Sequence, residues 1–187
     1  SSRVNYTLIF IDAVNSKLAT NSLFQSLADT FTRWLTRCCS FLDFSRSIGW
    51  NISGVELHPN LISIATRDGF EVFDNIYEIP KNNKYDLIVA LDVLEHIESD
   101  DFPKFFAKIK NCLNPEGTIL IRTPNGSSPF GLANQYGDVT HKSVITESKM
   151  QHWANIVDLE IDFSGRDIYL IYNGKFMKMP IRAIKRI

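Results

Sequence analysis

The sequence predicts an α/β fold: a doubly wound, mostly parallel sheet that ends in an antiparallel strand pair. Three observations carry this. Apolar runs of strand length recur at 51–57, 70–74, 85–93 and 118–123. Segments with helical periodicity lie among them, at about 59–67 and 99–113. The run YDLIVALDV at 85–93 is apolar nearly throughout, as expected of a parallel strand covered on both faces.

The elements follow in order. NISGVEL at 51–57 is a short apolar strand with Glu56 near its end. His58-Pro59 opens a helix that runs to about Arg67, because proline suits the first helical position, and Gly69 ends it. FEVFD at 70–74 reads as the next strand. After the strand at 85–93, a helix is expected from Ser99 to Leu113. Ser99 would cap it, Asp100 and Asp101 favour its positive end, and Phe102, Phe105, Phe106, Ile109 and Leu113 recur at helical steps. Asn114-Pro115-Glu116-Gly117 is a turn, and TILIRT at 118–123 a strand. Residues 124–145 read as a polar loop with Pro124, Gly126, Pro129, Gly131 and Gly137. A helix is expected at 146–157, and LEIDF with DIYLIY as the terminal antiparallel pair. Strands alternating with helices imply βαβ units with helices on both faces, a Rossmann-like arrangement. Ligands of such sheets sit beyond the carboxyl ends of the strands, which points to Glu56, Asp74, residues 91–96 and the loop after Thr123.

The first 48 residues contain no glycine and are less orderly. YTLIFID at 6–12 has strand character. Phe24, Leu27, Phe31, Trp34, Leu35, Cys38, Phe41 and Leu42 recur at helical steps, as in one long helix or two joined ones. The 187 residues are expected to form a single domain, with 1–45 as an atypical N-terminal segment and 175–187 as a basic C-terminal tail.

A formal net charge of -1 leaves no basic field over the whole molecule, so no nucleic-acid partner is expected. Cys38, Cys39 and Cys112 are odd in number and lack metal-site spacing, so reduced thiols, a cytoplasmic location and no metal site are expected. No apolar stretch reaches membrane-spanning length. Lys175, Lys178, Arg182, Lys185 and Arg186 alternate with apolar residues, which suits either a basic amphipathic end lying on an anionic membrane or a terminal helix packed on its own domain.

Four blocks, FLDFSRSIGWNISGVELHPN, YDLIVALDVLEHI, LNPEGTILIRTPN and YGDVTHKSVIT, stand in an order and spacing that resembles class I S-adenosylmethionine (SAM)-dependent methyltransferases. The closest likeness is to the branch serving surface-polysaccharide and other small-metabolite methylation, and it covers roughly residues 41–150. The resemblance implies SAM as cofactor and a small-molecule or sugar hydroxyl as acceptor. It implies that Glu56, with Leu57 beside it, binds the ribose diol, a task suited to a carboxylate at a strand end. A surface acid is the alternative there. Asp74 and Asn75 would meet the adenine, or serve as plain turn residues. Leu91 and Asp92 would lie beside the methionine part, with Asp92 as a helix cap the alternative. Glu95 and His96 would floor the acceptor pocket. His141, on the loop YGDVTH, would be the general base, with a loop-stabilising role the alternative; His96 is the second catalytic candidate. His58 and His152 are expected to be structural or solvent-facing.

The sequence departs from this family at the first loop. Such enzymes carry an acid and a DxGxGxG turn, whose glycines permit close backbone approach to the cofactor. Read without a gap, Arg33 takes the acid position, and Leu35, Arg37 and Cys39 take glycine positions. A register that uses residues 6–12 restores an acid, Asp12, but Ala13-Val14-Asn15-Ser16 offers no glycine. Three readings stay open: a SAM-dependent methyltransferase with a modified cofactor site, an inactive methyltransferase-like scaffold that has lost SAM, or an N-terminal segment, residues 1–40, that is not native to the domain. A nicotinamide enzyme on a related sheet is disfavoured by the same missing glycines.

Overall fold

The computed structural model describes residues 7–12, 46, 49–164, 168–172, 175–179 and 182–186. The helical periodicity of residues 24–42, Cys38, Cys39 and the substituted glycine positions lie outside them. Among the described residues the chain forms a seven-stranded sheet of order β3-β2-β1-β4-β5-β9-β6 and a separate two-stranded sheet, β7-β8. The strands are β1 (Thr7–Asp12), β2 (Asn51–Glu56), β3 (Glu71–Phe73), β4 (Tyr85–Leu91), β5 (Leu113–Arg122), β6 (Leu159–Ser164), β7 (Ile168–Tyr172), β8 (Lys175–Met179) and β9 (Arg182–Arg186). The helices are α1 (Pro59–Arg67), α2 (Phe102–Cys112), α3 (Pro129–Gly137) and α4 (Glu147–Ile156).

Pairing defines the directions. β2 and β3 are parallel, as are β4 and β5, while β1 is antiparallel to both β2 and β4. β9 is antiparallel to β5 and to β6. Five of the seven strands (β2 to β6) therefore run one way, against β1 and β9.

The sheet is covered on both faces, and β4 shows how. Ile88 and Ala90 point into a core built with Phe102, Phe105, Phe106 and Ile109 of α2 and Trp153 of α4. Leu87 and Val89 point the other way, against Ala65 of α1, Phe70 and Leu120. Side chains alternate across a strand, so a strand buried on both sides must be apolar at every position. Phe102 stacks on Trp153 with ring centroids 3.9 Å apart. Helix α1 starts as the sequence suggests: Pro59 opens it, the His58 side chain accepts the amide of Asn60, and Gly69 follows with φ of 82°.

Several expectations are corrected. The helix expected from Ser99 begins instead as a one-turn 3-10 helix, Ser99–Asp101, and turns α-helical at Phe102. The Ser99 hydroxyl pairs with that of Ser143 rather than capping the helix. Residues 124–145 are not all loop: Pro129 starts α3 within them. The two late strands do not pair with each other. β6 pairs with β9, and β7 forms a hairpin with β8, because β9 supplies a ladder between β5 and β6. The basic C-terminal run is thus strands β8 and β9, not a terminal helix. No helix among the described residues is long and apolar enough to cross a membrane. Cys112 is a buried free thiol.

Candidate active site

The carboxyl ends of β2, β3, β4 and β5 share one edge of the sheet, and the predicted site residues are found along it. Thr7 of β1 pairs with Glu56 on one side and Leu91 on the other. The tips of β2 and β4 therefore flank a single strand, about 10 Å apart at two interstrand spacings. That intervening strand is reversed. β1 begins at this edge and ends at the opposite one, where Asp12 pairs with Asn51. Asp12 is thereby removed from the site, and no turn leaves β1 at the cofactor edge.

Glu56 is buried, 3% exposed, and its carboxylate accepts the His58 amide at 2.9 Å, while neighbouring Leu57 is exposed. The His58 side chain accepts the Asn60 amide at the start of α1; His152 lies on the exposed side of α4. Asp74 and Asn75 follow β3. Asn75 caps a one-turn helix by accepting the Tyr77 amide at 2.9 Å, which is turn chemistry. Asp74 hydrogen-bonds the Glu78 carboxyl and, with its charge, raises the Glu78 pKa.

Asp92 follows β4 with φ of 52°, the left-handed region that Asp tolerates better than most residues. It does not cap a helix. Its amide donates to the Arg122 carbonyl at 2.9 Å, and the Arg122 guanidinium grips its carboxylate through Nε and Nη2. Arg122, the last residue of β5, was absent from the sequence reading; its only signal there is its place at a strand tip.

The one-turn helix Leu94–His96 comes next. Glu95 is 1% exposed, and the Thr123 hydroxyl donates to its carboxylate at 3.0 Å. Burial outweighs that bond and holds the carboxyl at a pKa of about 7, above its ordinary 4.5. Burial likewise lowers the pKa of His96, which keeps the ring neutral at neutral pH.

The loop after α3 is stitched onto this turn. The amides of Lys142 and Ser143 both donate to the Glu95 carbonyl, at 2.7 and 3.0 Å. The Ser143 hydroxyl donates to the Ile97 carbonyl, and buried Gln135 donates to the Ser143 carbonyl. These bonds bring His141 against His96, edge to face, with ring centroids 4.6 Å apart. His141 Nδ1 lies 2.9 Å from the Gln135 carbonyl, and His96 Nδ1 lies 3.1 Å from the Thr140 carbonyl. A carbonyl only accepts, so each Nδ1 carries a proton, and in the neutral ring Nε2 carries the lone pair. Asp138 lies 4.0 Å from His141 Nε2 and takes hydrogen bonds from the Thr140 amide and hydroxyl, which lower its pKa. Ligand atoms of Glu95, His96 and His141 all lie within 4.8 Å of one another, a set able to hold a metal ion, although the sequence reading foresaw none.

A family match decides what this arrangement belongs to: residues 30–162 match the methyltransferase domain family. The chain is a member of that family. The reversed strand β1 lies outside the matched span. Among solved structures, the methyltransferase fold is shared with a SAM-dependent methyltransferase from Archaeoglobus fulgidus at a TM-score of 0.61 and 16% identity, over 89% of this chain and 95% of that one. A SAM-dependent methyltransferase from Clostridium acetobutylicum aligns at 0.52 and 16%, over 71% and 73%. Small RNA 2'-O-methyltransferase from Mus musculus is 29% identical over 86 residues, 43% of this chain and 22% of that protein. The match therefore spans about a fifth of the curated relative.

Proposed function

We propose that this methyltransferase-family chain uses SAM to methylate a hydroxyl oxygen, on a sugar or other small metabolite of polysaccharide biosynthesis. The observation that carries this reading is the pairing of His96 and His141 beside the carboxyl edge of the sheet. Glu56 would serve the adenosine half of the cofactor, with a carboxylate at the β2 tip directly across from Thr7, the first residue of β1. Asp74 and Asn75 would border the adenine, and Leu91 and Asp92 the methionine part. The bound cofactor would supply a methyl group already activated by the sulfonium, so the protein's task is placement and deprotonation. His141, oriented through Nδ1 by the Gln135 carbonyl, presents Nε2 to take the acceptor proton. Neutral His96 packs beside it. Relatives named for 2'-O-methylation of small RNA are consistent with an oxygen acceptor. We assign the chain to the cytoplasm, without a membrane-bound helix at its basic end.

One observation favours the scaffold reading: the strand between β2 and β4 is reversed, so a glycine turn cannot leave it toward the cofactor. Calorimetric titration with S-adenosylhomocysteine separates the two. Binding that is weakened at least tenfold by Glu56→Ala supports the enzyme; no binding at millimolar ligand leaves only the scaffold.

A further inference from the structure

We propose that Glu95, His96 and His141 form a binding site for one divalent transition-metal ion. Two imidazoles and one carboxylate are the donor set that suits Mn2+, Co2+ or Zn2+, and three protein ligands leave coordination positions open to an oxygen ligand. Their ligand atoms already stand within 4.8 Å of one another. A cation with bonds of about 2.1 Å holds neighbouring ligands roughly 3 Å apart, so closure asks for side-chain movement on the order of 1 Å.

A second, independent observation is the shell around these three. Metal-binding imidazoles commonly donate their other nitrogen to a carbonyl or carboxylate, which fixes the ring and the lone pair. Both rings here do so, His96 toward the Thr140 carbonyl and His141 toward the Gln135 carbonyl. The carboxylate of Glu95 is steadied by the Thr123 hydroxyl. The backbone carbonyl of the same residue anchors the loop that carries His141, through the amides of Lys142 and Ser143. A loop pinned at that point keeps a ligand 46 positions away in the sequence at a fixed place beside its partners. Asp138 at the rim, 4.0 Å from His141 Nε2, adds negative charge that favours a cation, while the charge of Arg122 is already met by Asp92.

Cation binding stands on this geometry alone. Its use in catalysis, where an acceptor hydroxyl would take an open position, rests on the methyltransferase reading. A bound cation would occupy the lone pairs that a base uses, so the two roles of His141 are alternatives in any one complex.

The test is titration of chelator-stripped full-length protein with Co2+ alone, followed by visible absorption, and with Mn2+ alone, followed by electron paramagnetic resonance. One ion per chain is expected. Glu95→Gln and His141→Ala are each expected to weaken binding at least tenfold, and His152→Ala, on the exposed side of α4, to leave it unchanged. Circular dichroism of each stripped variant confirms folding; should His141→Ala fail to fold, Glu95→Gln and histidine proton shifts on Zn2+ addition to the unaltered protein carry the test. Absence of a stoichiometric signal, or binding equal in all variants, overturns the proposal. A cobalt signal without S-adenosylhomocysteine binding would sink the cofactor reading and keep the cation site; S-adenosylhomocysteine binding with a silent cobalt titration would do the reverse.

Discussion

Replacing Glu95 by Gln changes how stability depends on pH. The folded-state pKa is about 7 against an ordinary value of 4.5, with burial the first cause. A raised pKa means that the folded state holds the proton more tightly than the unfolded chain. The associated stability is fully present below pH 4.5 and is lost as pH rises through about 7. At about 1.4 kcal/mol per pKa unit, the whole loss is on the order of 3 kcal/mol, of which about 2–3 kcal/mol falls between pH 5 and 8. Because Glu95 is 1% exposed, solvent screening takes little from that figure. Gln keeps the shape and removes the ionisation. Urea unfolding in a chelating buffer, at several pH values between 5 and 8, is the assay. The stability difference between the two proteins should shift by about 2–3 kcal/mol across that range, or about a molar in urea midpoint. Parallel pH curves, within 0.5 kcal/mol of each other, would refute the claim that Glu95 is an ionisable group held in a desolvated place.

Three other substitutions test the frame of the site. Gly126→Ala places a Cβ 2.8 Å from the Ile145 carbonyl and against the Val144 side chain, so it should cost about 1–3 kcal/mol and lower Tm by several degrees, read by calorimetry. Phe102→Ala removes a fully buried ring stacked on Trp153; a loss of about 3–5 kcal/mol is expected in denaturant unfolding, with changed tryptophan fluorescence. At Asp92, with φ of 52°, Asn should be tolerated better than Val by about 1–2 kcal/mol, since a β-branched residue resists that conformation; equal melting temperatures would remove the argument.

Much of the fold was legible because it rests on local signals. The apolar run of β4 announces burial on both faces, and both cores meet on it. His58-Pro59 and Gly69 mark the two ends of α1. Thr146 does cap α4, accepting the Lys149 amide. Direction was not legible: alternating or apolar strands read alike in either sense, so nothing in residues 6–12 revealed that β1 would run against its neighbours. Helix α3 was hidden by the prolines and glycines around it, although Ser128-Pro129 is a helix start of the same kind as His58-Pro59. The antiparallel pairing of β7 with β8 has a readable sign in the sequence, Asn173-Gly174 between two apolar runs. At the site, Glu56, His96 and His141 were named from strand tips and from resemblance. The grip of Arg122 on Asp92 and the convergence of Glu95 with the two histidines were not, because they join residues 30 to 46 positions apart, beyond the reach of any local pattern.

The position of β9 bears on how the protein is made. Among the described residues, strand β6, residues 159–164, has its ladder with β9, residues 182–186, which also pairs with β5. Until residues 182–186 have been synthesised, two strand edges stand open to any passing chain. Folding of the finished sheet must wait for them, and a product released before residue 182 would carry an adhesive surface for other nascent chains.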